Sequence, residues 1–167
     1  VKEWLYQLLQ DDFNVVRSPR SYNSQIGVPL SIWKMDKDTQ LAIFEAGISQ
    51  VDEMPSLQSM IRPNLGIITN IGNEHQEGFA SIKSKCEEKI ALFRDCDCII
   101  YNGDDALISE VIESSCTTVK EIAWSTKDSD RPLFISKIDK GQDSTTIDYF
   151  YLQNNSSFTI PFVADSD

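Results

Sequence analysis

Two apolar patterns alternate along the first 124 residues of the chain. Short continuous apolar runs are typical of strands that are buried on both faces of a parallel sheet. Apolar residues spaced three and four positions apart are typical of helices with one buried side. The patterns predict strands at 13–16, 40–45, 65–69, 97–101 and 121–124, and helices at 1–10, 26–35, 56–61, 81–93 and 105–112. The apolar side of the first helix is expected to consist of Trp4, Leu5, Leu8 and Leu9.

The alternation of strands and helices predicts an α/β fold with a mainly parallel sheet flanked by helices. After Ser125 the pattern changes to β-rich stretches at 133–138, 145–152 and 158–162, with turn residues between them. These stretches predict a small antiparallel β region at the C-terminal end. We therefore expect one domain over 1–167, with a βαβ part at 1–124 and a β-hairpin part at 125–167.

Polar residues that could bind a ligand or take part in a reaction follow the predicted parallel strands. Ligands of open parallel sheets bind outside the carboxyl ends of the strands. Four separate segments place side chains at or just beyond such ends: Glu45, Thr69 with Asn70, His75, and residues 102–105. This convergence predicts a ligand site at one edge of the sheet.

Lys89 lies on the apolar side of the helix predicted at 81–93, for which Ser81 is a candidate N-terminal cap. A lysine that points toward a core is costly unless it is neutralised, paired or chemically modified. A neutral amine can add carbon dioxide to become a carbamate, and the two carbamate oxygens can bind magnesium. An alternative is that the aliphatic stem is buried and the ammonium group reaches solvent or pairs with an acid such as Glu45.

Glu45 and His75 each allow two interpretations. Glu45 follows an apolar run and could hold a hard cation or act as a base, or it could be a hydrogen-bonded loop acid. His75 is the only histidine of the chain, and it could be a ligand or a structural loop residue. Magnesium prefers oxygen ligands, so the histidine fits a magnesium site less easily than the glutamate does.

Composition narrows the function classes. The chain has 167 residues and a net charge of −11, which argues against a nucleic-acid partner. No apolar run approaches the length of a membrane span and no signal peptide is visible, so no membrane insertion is expected. The four cysteines, with Cys86 and Cys98 as small core residues, are expected to be reduced thiols of a cytoplasmic protein.

Six segments, in the same order along the chain, resemble the central, ATP-binding domain of the Mur ligases. This domain has a P-loop NTPase-like fold. Any one of the segments is a weak signal, whereas the ordered set is specific. The segments are 22–29 (YNSQIGVP), 44–47 (FEAG), 62–71 (RPNLGIITNI), 74–79 (EHQEGF), 88–93 (EKIALF) and 101–105 (YNGDD).

Within that family the first and fourth segments are most similar to the ligases that add D-alanyl-D-alanine to UDP-MurNAc-tripeptide. The resemblance implies a ligase of peptidoglycan precursor synthesis that uses ATP and Mg²⁺. It also implies a reaction in which the precursor carboxylate becomes an acyl phosphate and the incoming amine attacks it. UDP-MurNAc-peptide and D-Ala-D-Ala would then be the substrates.

The resemblance also implies roles for individual residues. Glu45 and His75 match metal ligands of the family. Lys89 matches a lysine that is carbamylated in relatives and helps to hold a second magnesium. His75 and Lys89 are therefore also the catalytic candidates. Substrate contacts are implied for the loop residues Ser21, Tyr22 and Asn23. Cofactor contacts are implied for Asn70, Asn102 and Asp105, although structural support is an equally good interpretation of the last two.

The family's phosphate-binding loop, Gly-rich and ending in Gly-Lys-Thr, is not found in the sequence. Its expected place is immediately before Val1. The N-terminal substrate domain and the C-terminal domain of the family are also missing. We therefore expect a truncated central domain that has no ligase activity by itself and binds ATP weakly or not at all. A parent protein fused to alanine racemase is a further expectation left open by the sequence.

Two alternatives remain at this stage. The first is a folate polyglutamylating ligase, which shares the fold and the metal residues; the loop around Asn23 and residues 78–81 favour the Mur side. The second is a non-catalytic scaffold or binding domain, in which Lys89 forms a buried pair with Glu45.

Overall fold

The computed structural model describes residues 1–72 and 76–161. Helices and strands alternate as predicted over the first 125 residues, and strands follow from there on. The helices are α1 (Lys2–Leu9), α2 (Gly27–Ile32), α3 (Glu53–Ile61), α4 (Ile82–Ala91) and α5 (Ala106–Ser115), with a 3₁₀-helix at Gln76–Gly78. The strands are β1 (Val15–Arg17), β2 (Leu41–Ile43), β3 (Leu65–Ile67), β4 (Cys98–Asn102), β5 (Lys120–Ser125), β6 (Leu133–Lys140), β7 (Thr145–Tyr151) and β8 (Asn154–Ile160).

Side-chain caps fix the beginnings of the last two helices. The Ser81 hydroxyl accepts a hydrogen bond from the Ser84 amide, and the Ser84 hydroxyl accepts one from the Ser81 amide, at 3.0 Å each. This reciprocal pair is a capping box, and it confirms Ser81 as the cap of α4. The Asp105 carboxylate accepts hydrogen bonds from the amides of Leu107 and Ile108 and so caps α5.

The strands form two sheets among the described residues. β1 and β2 pair in parallel in a two-stranded sheet, and β3 to β8 form a six-stranded sheet in chain order. Pairing is parallel from β3 to β6 and antiparallel from β6 to β8. The predicted α/β fold with its antiparallel C-terminal part is confirmed. The hairpins continue the parallel sheet rather than forming a region of their own, because β6 pairs with β5.

The turn between β7 and β8 lies earlier than the sequence suggests. Leu152 and Gln153 have positive φ angles of 47° and 68°, as in the two-residue turns that match the twist of paired strands. Asn154 and Asn155 already belong to β8, although their residue types favour a turn. The prediction of a strand beginning at Phe158 is therefore wrong by four residues, since β8 begins at Asn154.

The expected burial of β2 on both faces is wrong. All three of its residues are half-buried, because β2 pairs with β1 alone in the described part of the chain. In β4, by contrast, Ile99 and Tyr101 are fully buried. The Tyr101 hydroxyl donates a hydrogen bond of 2.6 Å to Glu121 Oε2. Burial and this hydrogen bond raise the pKa of the Tyr101 phenol, so the buried ring keeps its proton.

Two apolar clusters meet at α4. One fills the space between the six-stranded sheet and helices α4 and α5, and the other joins α2, α3 and the end of α4. The Phe93 ring packs against both clusters. In the described residues the cysteines are free; Cys86, Cys96 and Cys116 are buried as core residues, while Cys98 is only half-buried, against expectation.

Within the described residues, none of the helices has the length and apolar character needed to cross a membrane.

Candidate functional site

The carboxyl ends of β1 and β2 are joined by a buried serine. Ser18, which directly follows β1, is fully buried. Its amide donates to the Ile43 carbonyl at 3.1 Å, and its hydroxyl accepts a hydrogen bond of 3.2 Å from the Glu45 amide. The backbone of Glu45 is therefore fixed against the strand next to it. Its side chain remains 46% exposed, so the carboxylate is accessible from solvent.

Asn23 binds the same strand end through its backbone and its side chain. Asn23 Nδ2 donates to Glu45 Oε1 at 3.1 Å, and the Asn23 carbonyl accepts a hydrogen bond of 2.8 Å from the Gly47 amide. A Cβ atom at Gly47 would lie 2.9 Å from the Asn23 side chain, so glycine allows this close approach. The structure thus brings together two residues that the sequence singled out, one from the expected substrate loop and one from the expected metal set.

The other two residues of the expected substrate loop lie beside Asn23. Ser21 is exposed, and its carbonyl accepts a hydrogen bond of 2.8 Å from the Asn23 amide. Tyr22 is exposed as well, and its amide donates to the Pro19 carbonyl at 3.0 Å. Both side chains therefore face solvent at the carboxyl end of β1, where a ligand could reach them.

Lys2 is a member of this cluster that the sequence analysis missed. It is only 9% exposed, although lysine is rarely buried. Its ammonium group donates a hydrogen bond to the Arg20 carbonyl and lies 3.5 Å from Glu45 Oε2 and 3.6 Å from Glu3 Oε1. The ammonium beside the Glu45 carboxylate is therefore that of Lys2, whereas the scaffold alternative expected Lys89.

The spacing along α1 carried the missed signal. Lys2, Leu5, Tyr6 and Leu9 recur at helical spacing and are the buried or half-buried residues of the helix. The expected apolar side with Trp4 and Leu8 is wrong, since these side chains are 45% and 73% exposed. A search for apolar residues alone passes over a face that begins with a lysine.

Lys89 is half-buried rather than buried, so this expectation needs correction. The buried lysine of α4 is Lys85, one turn earlier, which is 2% exposed. Lys85 Nζ donates to the Gly72 carbonyl at 2.7 Å, and Lys89 Nζ lies 3.5 Å from the Asn70 carbonyl. Residues four apart share a helix face, so both ammonium groups point at the loop that follows β3. Lys89 and Asn70 are thus neighbours at the carboxyl end of that strand.

His75 lies outside the described residues, so its expected roles as a metal ligand and catalytic residue stay predictions. Within 1–72 and 76–161, no three His, Cys, Asp or Glu side chains are grouped so that they could hold a metal ion. The donors that the described residues do offer near the two strand ends are oxygen atoms. They are the carboxylate of Glu45, the ligand type that suits Mg²⁺, and the carbonyls of Asn70 and Gly72, which face lysine ammonium groups.

Asn102 and Asp105 lie at the carboxyl end of β4. Asn102 Oδ1 accepts a hydrogen bond of 3.0 Å from the Asp104 amide, and the Asp105 amide donates to the Asn102 carbonyl at 3.2 Å. These contacts, with the capping of α5 by Asp105, give both residues a structural role. They also line an open cleft of about 650 Å³ together with Asp104, Ala106, Leu107, Trp124, Thr126 and Lys127.

Asp104 fastens the ends of β4 and β5 beside this cleft. Its carboxylate accepts hydrogen bonds from the Ser125 hydroxyl and from the amide and hydroxyl of Thr126, the latter two at 2.9 Å. Desolvation raises the pKa of the Asp104 carboxyl, but these hydrogen bonds outweigh it and hold the pKa below its ordinary value. The carboxylate is therefore ionised and fully engaged in structure.

The chain matches the family model of the Mur ligase middle domain over residues 1–166. The UDP-N-acetylmuramoyl-tripeptide–D-alanyl-D-alanine ligase of Rickettsia prowazekii is 28% identical over 97% of the chain, which covers 37% of that protein. The ligase of the same name from Bacillus subtilis is 28% identical over 70% of the chain, which covers 26% of it.

Solved structures share the fold. MurF from Acinetobacter baumannii superimposes with a TM-score of 0.85 at 21% identity, over 97% of this chain and 36% of that one. A mutant of L. casei FPGS is more distant in shape, with a TM-score of 0.63 at 19% identity, over 98% of this chain and 38% of that one.

The chain spans little more than a third of the length of the first of these relatives, at 37%. The match nevertheless extends over nearly the whole chain. The chain therefore belongs to the Mur ligase middle domain family.

Proposed function

We propose that this chain is the central domain of an ATP-dependent amide-bond ligase that adds D-alanyl-D-alanine to UDP-MurNAc-tripeptide in cytoplasmic peptidoglycan precursor synthesis. Membership of the family and the names of the sequence relatives support the proposal. The observation that carries it is the hydrogen bond from Asn23 Nδ2 to Glu45 Oε1 at 3.1 Å. This bond joins the proposed substrate loop to the proposed metal ligand at a strand end where ligands of such sheets bind.

Glu45, His75 and a carbamate on Lys89 would hold Mg²⁺. The exposed carboxylate of Glu45 and the oxygens of a carbamate suit this ion, which prefers oxygen ligands. When bound, Mg²⁺ would neutralise charge on the phosphoryl group as it moves to the substrate carboxylate. The chain itself orients the site: Asn23 holds one Glu45 oxygen, and the helix face of Lys89 points its amine at the loop after β3.

ATP is proposed to contact Asn70, Asn102 and the segment around Asp105. The open cleft at the ends of β4 and β5 supports this assignment, because Asn102 and Asp105 line it. A solved MurF from Thermotoga maritima, with a TM-score of 0.79, is a complex with ADP. Since the Asp105 carboxylate is occupied by the cap of α5, its part is to place Asn102 rather than to bind nucleotide directly.

The substrate assignment is tested in the complete protein that carries this chain. We expect it to join D-Ala-D-Ala to UDP-MurNAc-tripeptide with consumption of ATP and to leave a folate with glutamate unchanged. Glu45→Gln should lower turnover by roughly 100-fold or more while the protein stays folded, because a metal ligand is lost. Glu87→Gln, an exposed acid on α4, is the matched control and should leave turnover unchanged.

Lys89→Ala separates the ligase from a scaffold. A ligase should stay folded and lose turnover, with partial rescue by small carboxylic acids that replace the carbamate. A variant that loses stability but no turnover would contradict the proposed carbamate.

The remaining proposals concern the context of the chain. A phosphate-binding loop is proposed immediately before Val1, with further domains on both sides, since the chain covers 37% of a named relative. The 167-residue chain should then hydrolyse no ATP by itself, whereas a version extended through the loop should do so. Robust turnover by the chain alone would overturn this proposal. The protein sequence encoded immediately before and after these 167 residues tests both the presence of the loop and a fusion to alanine racemase.

A further inference from the structure

Lys2 is a buried charged group that the proposed chemistry does not use. Transfer of an ammonium group out of water is costly unless hydrogen bonds and opposite charges compensate it. Lys2 is also the first residue of α1, where the helix dipole disfavours a positive charge. A lysine in this position therefore requires specific partners, and these show what it holds in place.

The partners of Lys2 come from two separate segments besides its own helix. The Arg20 carbonyl, which accepts its hydrogen bond, belongs to the loop that leads to Asn23. The Glu45 carboxylate, 3.5 Å away, belongs to the end of β2. The third partner, Glu3 at 3.6 Å, also pairs with Arg17 at 2.9 Å and ties α1 to β1. A single ammonium group thus connects α1, the loop and the strand end.

Between its ends the loop has few other anchors, although the Tyr22 backbone lies against Gly27, where a Cβ atom would be 2.8 Å from the Tyr22 Cα. Arg20 is exposed and has a positive φ of 47°, and Ser21 and Tyr22 are exposed as well. Its long-range backbone hydrogen bonds lie at its two ends, from the Ser18 amide to the Ile43 carbonyl at 3.1 Å and from the Gly47 amide to the Asn23 carbonyl at 2.8 Å, and those between are local. Without the ammonium group, the middle of the loop would lose its anchor, and the hydrogen bonds at Asn23 would open more easily.

We propose that Lys2 is a positioning residue for the loop of residues 18–23, and that it sets the affinity for the muramoyl substrate rather than the rate of the chemical step. The inference rests on the proposed function only for the identity of that substrate. Lys2 contacts the Arg20 backbone and the side of Glu45, so it acts through these groups and not on the reacting atoms.

Lys2→Met tests the proposal, because it keeps the length of the side chain and removes the charge. In the complete ligase we expect KM for UDP-MurNAc-tripeptide to rise by at least about 10-fold and kcat to change by less than about 2-fold. Lys37→Met is the matched control, because the Lys37 side chain is 90% exposed. The KM of this variant should equal that of the wild type. Lys2→Gln retains a shorter donor and should give an intermediate KM.

Hydrogen exchange on the same proteins gives a readout that does not depend on activity. We expect the amides of Tyr22, Asn23 and Gly47 to exchange at least about 10-fold faster in Lys2→Met, because local opening becomes easier. The amide of Ile68, which donates to Ile100 in the six-stranded sheet, reports whether the variant is folded and should be unchanged.

The outcomes separate the two proposals. Unchanged exchange at the three loop amides, an unchanged KM, or a fall in kcat at constant KM would each overturn the role of Lys2. If the wild type fails to use UDP-MurNAc-tripeptide, the proposed function is wrong, and the exchange measurement still decides whether Lys2 anchors the loop. If both Lys2 variants lose protection at Ile68 as well, Lys2 is a residue of global stability and the positioning role is rejected.

Discussion

The two-stranded sheet and the six-stranded sheet of this chain are held by different kinds of contact. In the six-stranded sheet, β4 alternates half-buried and fully buried residues, and Ile99 and Tyr101 lie in a continuous apolar cluster. In the two-stranded sheet every strand residue is half-buried. What joins its carboxyl end to the neighbouring loop is polar: the Ser18 hydroxyl, the Asn23 amide and the Lys2 ammonium.

The difference separates stability from ligand binding. Apolar burial contributes roughly 25 cal/mol per Å² and dominates the free energy of folding, so the six-stranded sheet should carry most of the stability. Hydrogen bonds contribute less to that free energy but fix direction. Substitutions in the two-stranded region should therefore change the free energy of unfolding little and change the affinity for ligand more.

Matched isoleucine truncations in the two sheets should give the largest contrast. Ile99→Ala removes a fully buried side chain and should lower the free energy of unfolding by about 3–4 kcal/mol. Ile43→Ala removes a half-buried one and should lower it by about 1 kcal/mol. Urea unfolding of the chain and of both variants measures the difference. Equal losses would show that both sheets share one core and would break the comparison.

Matched glycine substitutions should give a smaller contrast, of a different kind. A Cβ at Gly66 would lie 2.4 Å from the Phe93 ring, which packs against both apolar clusters and cannot yield easily. Gly66→Ala should therefore lower the free energy of unfolding by about 1–3 kcal/mol. A Cβ at Gly47 would instead meet the side chain of Asn23 at 2.9 Å, and this side chain can move away.

Gly47→Ala should therefore cost less than about 0.5 kcal/mol of stability and break the contact between Asn23 and Glu45. In the complete protein, if it is the proposed ligase, we expect Gly47→Ala to raise KM for UDP-MurNAc-tripeptide and Gly66→Ala to leave KM unchanged in the folded fraction. Urea unfolding and steady-state kinetics on both variants measure the two effects. If Gly47→Ala is as unstable as Gly66→Ala, the carboxyl end of β2 is held by rigid packing and not by polar contacts.

The fold could be predicted from the sequence where the apolar pattern is strong. The alternation of strands and helices was readable because β4 and α5 carry long periodic runs, and the Ser81 cap because it is a local contact. The pattern did not reveal that β2 is half-buried, since a four-residue apolar run looks the same in an interior or an edge strand. It also placed the last turn too late, because turn residue types extend into β8.

The candidate site was only partly predictable, for a physical reason. Glu45 and Asn23 could be found because each lies at a strand end or in a segment that resembles the family. The spacing along α1 indicates that Lys2 shares a face with Leu5 and Leu9, but the burial of Lys2 and Lys85 depends on acceptors from distant segments, namely the carbonyls of Arg20 and Gly72. A periodicity argument identifies which residues share a helix face but not what the face meets.

The smallest expected effect is on the alkylation rates of the cysteine thiols, which report on the six-stranded region alone. All four lie at or after residue 86, and Cys86, Cys96 and Cys116 belong to the apolar cluster of that region. Burial raises the pKa of all three thiols, to about 11 for Cys86. Since the thiolate is the nucleophile, these groups should react with iodoacetamide at pH 8 far more slowly in the native chain than in urea.

The sign of the pH dependence follows from the raised pKa values. A thiol whose pKa is higher in the folded state stabilises the fold fully below the unfolded value, near 8.5, and this contribution is lost as pH rises toward the folded value. Stability should therefore fall slightly between about pH 8.5 and 11.

Mass spectrometry of alkylated peptides at pH 8 then sharpens the comparison: Ile99→Ala should speed the alkylation of Cys86, whereas Lys2→Met and Ile43→Ala should not. If Lys2→Met exposes Cys86 as strongly as Ile99→Ala does, the polar end of the two-stranded sheet and the apolar core open together, and the two regions form one cooperative unit.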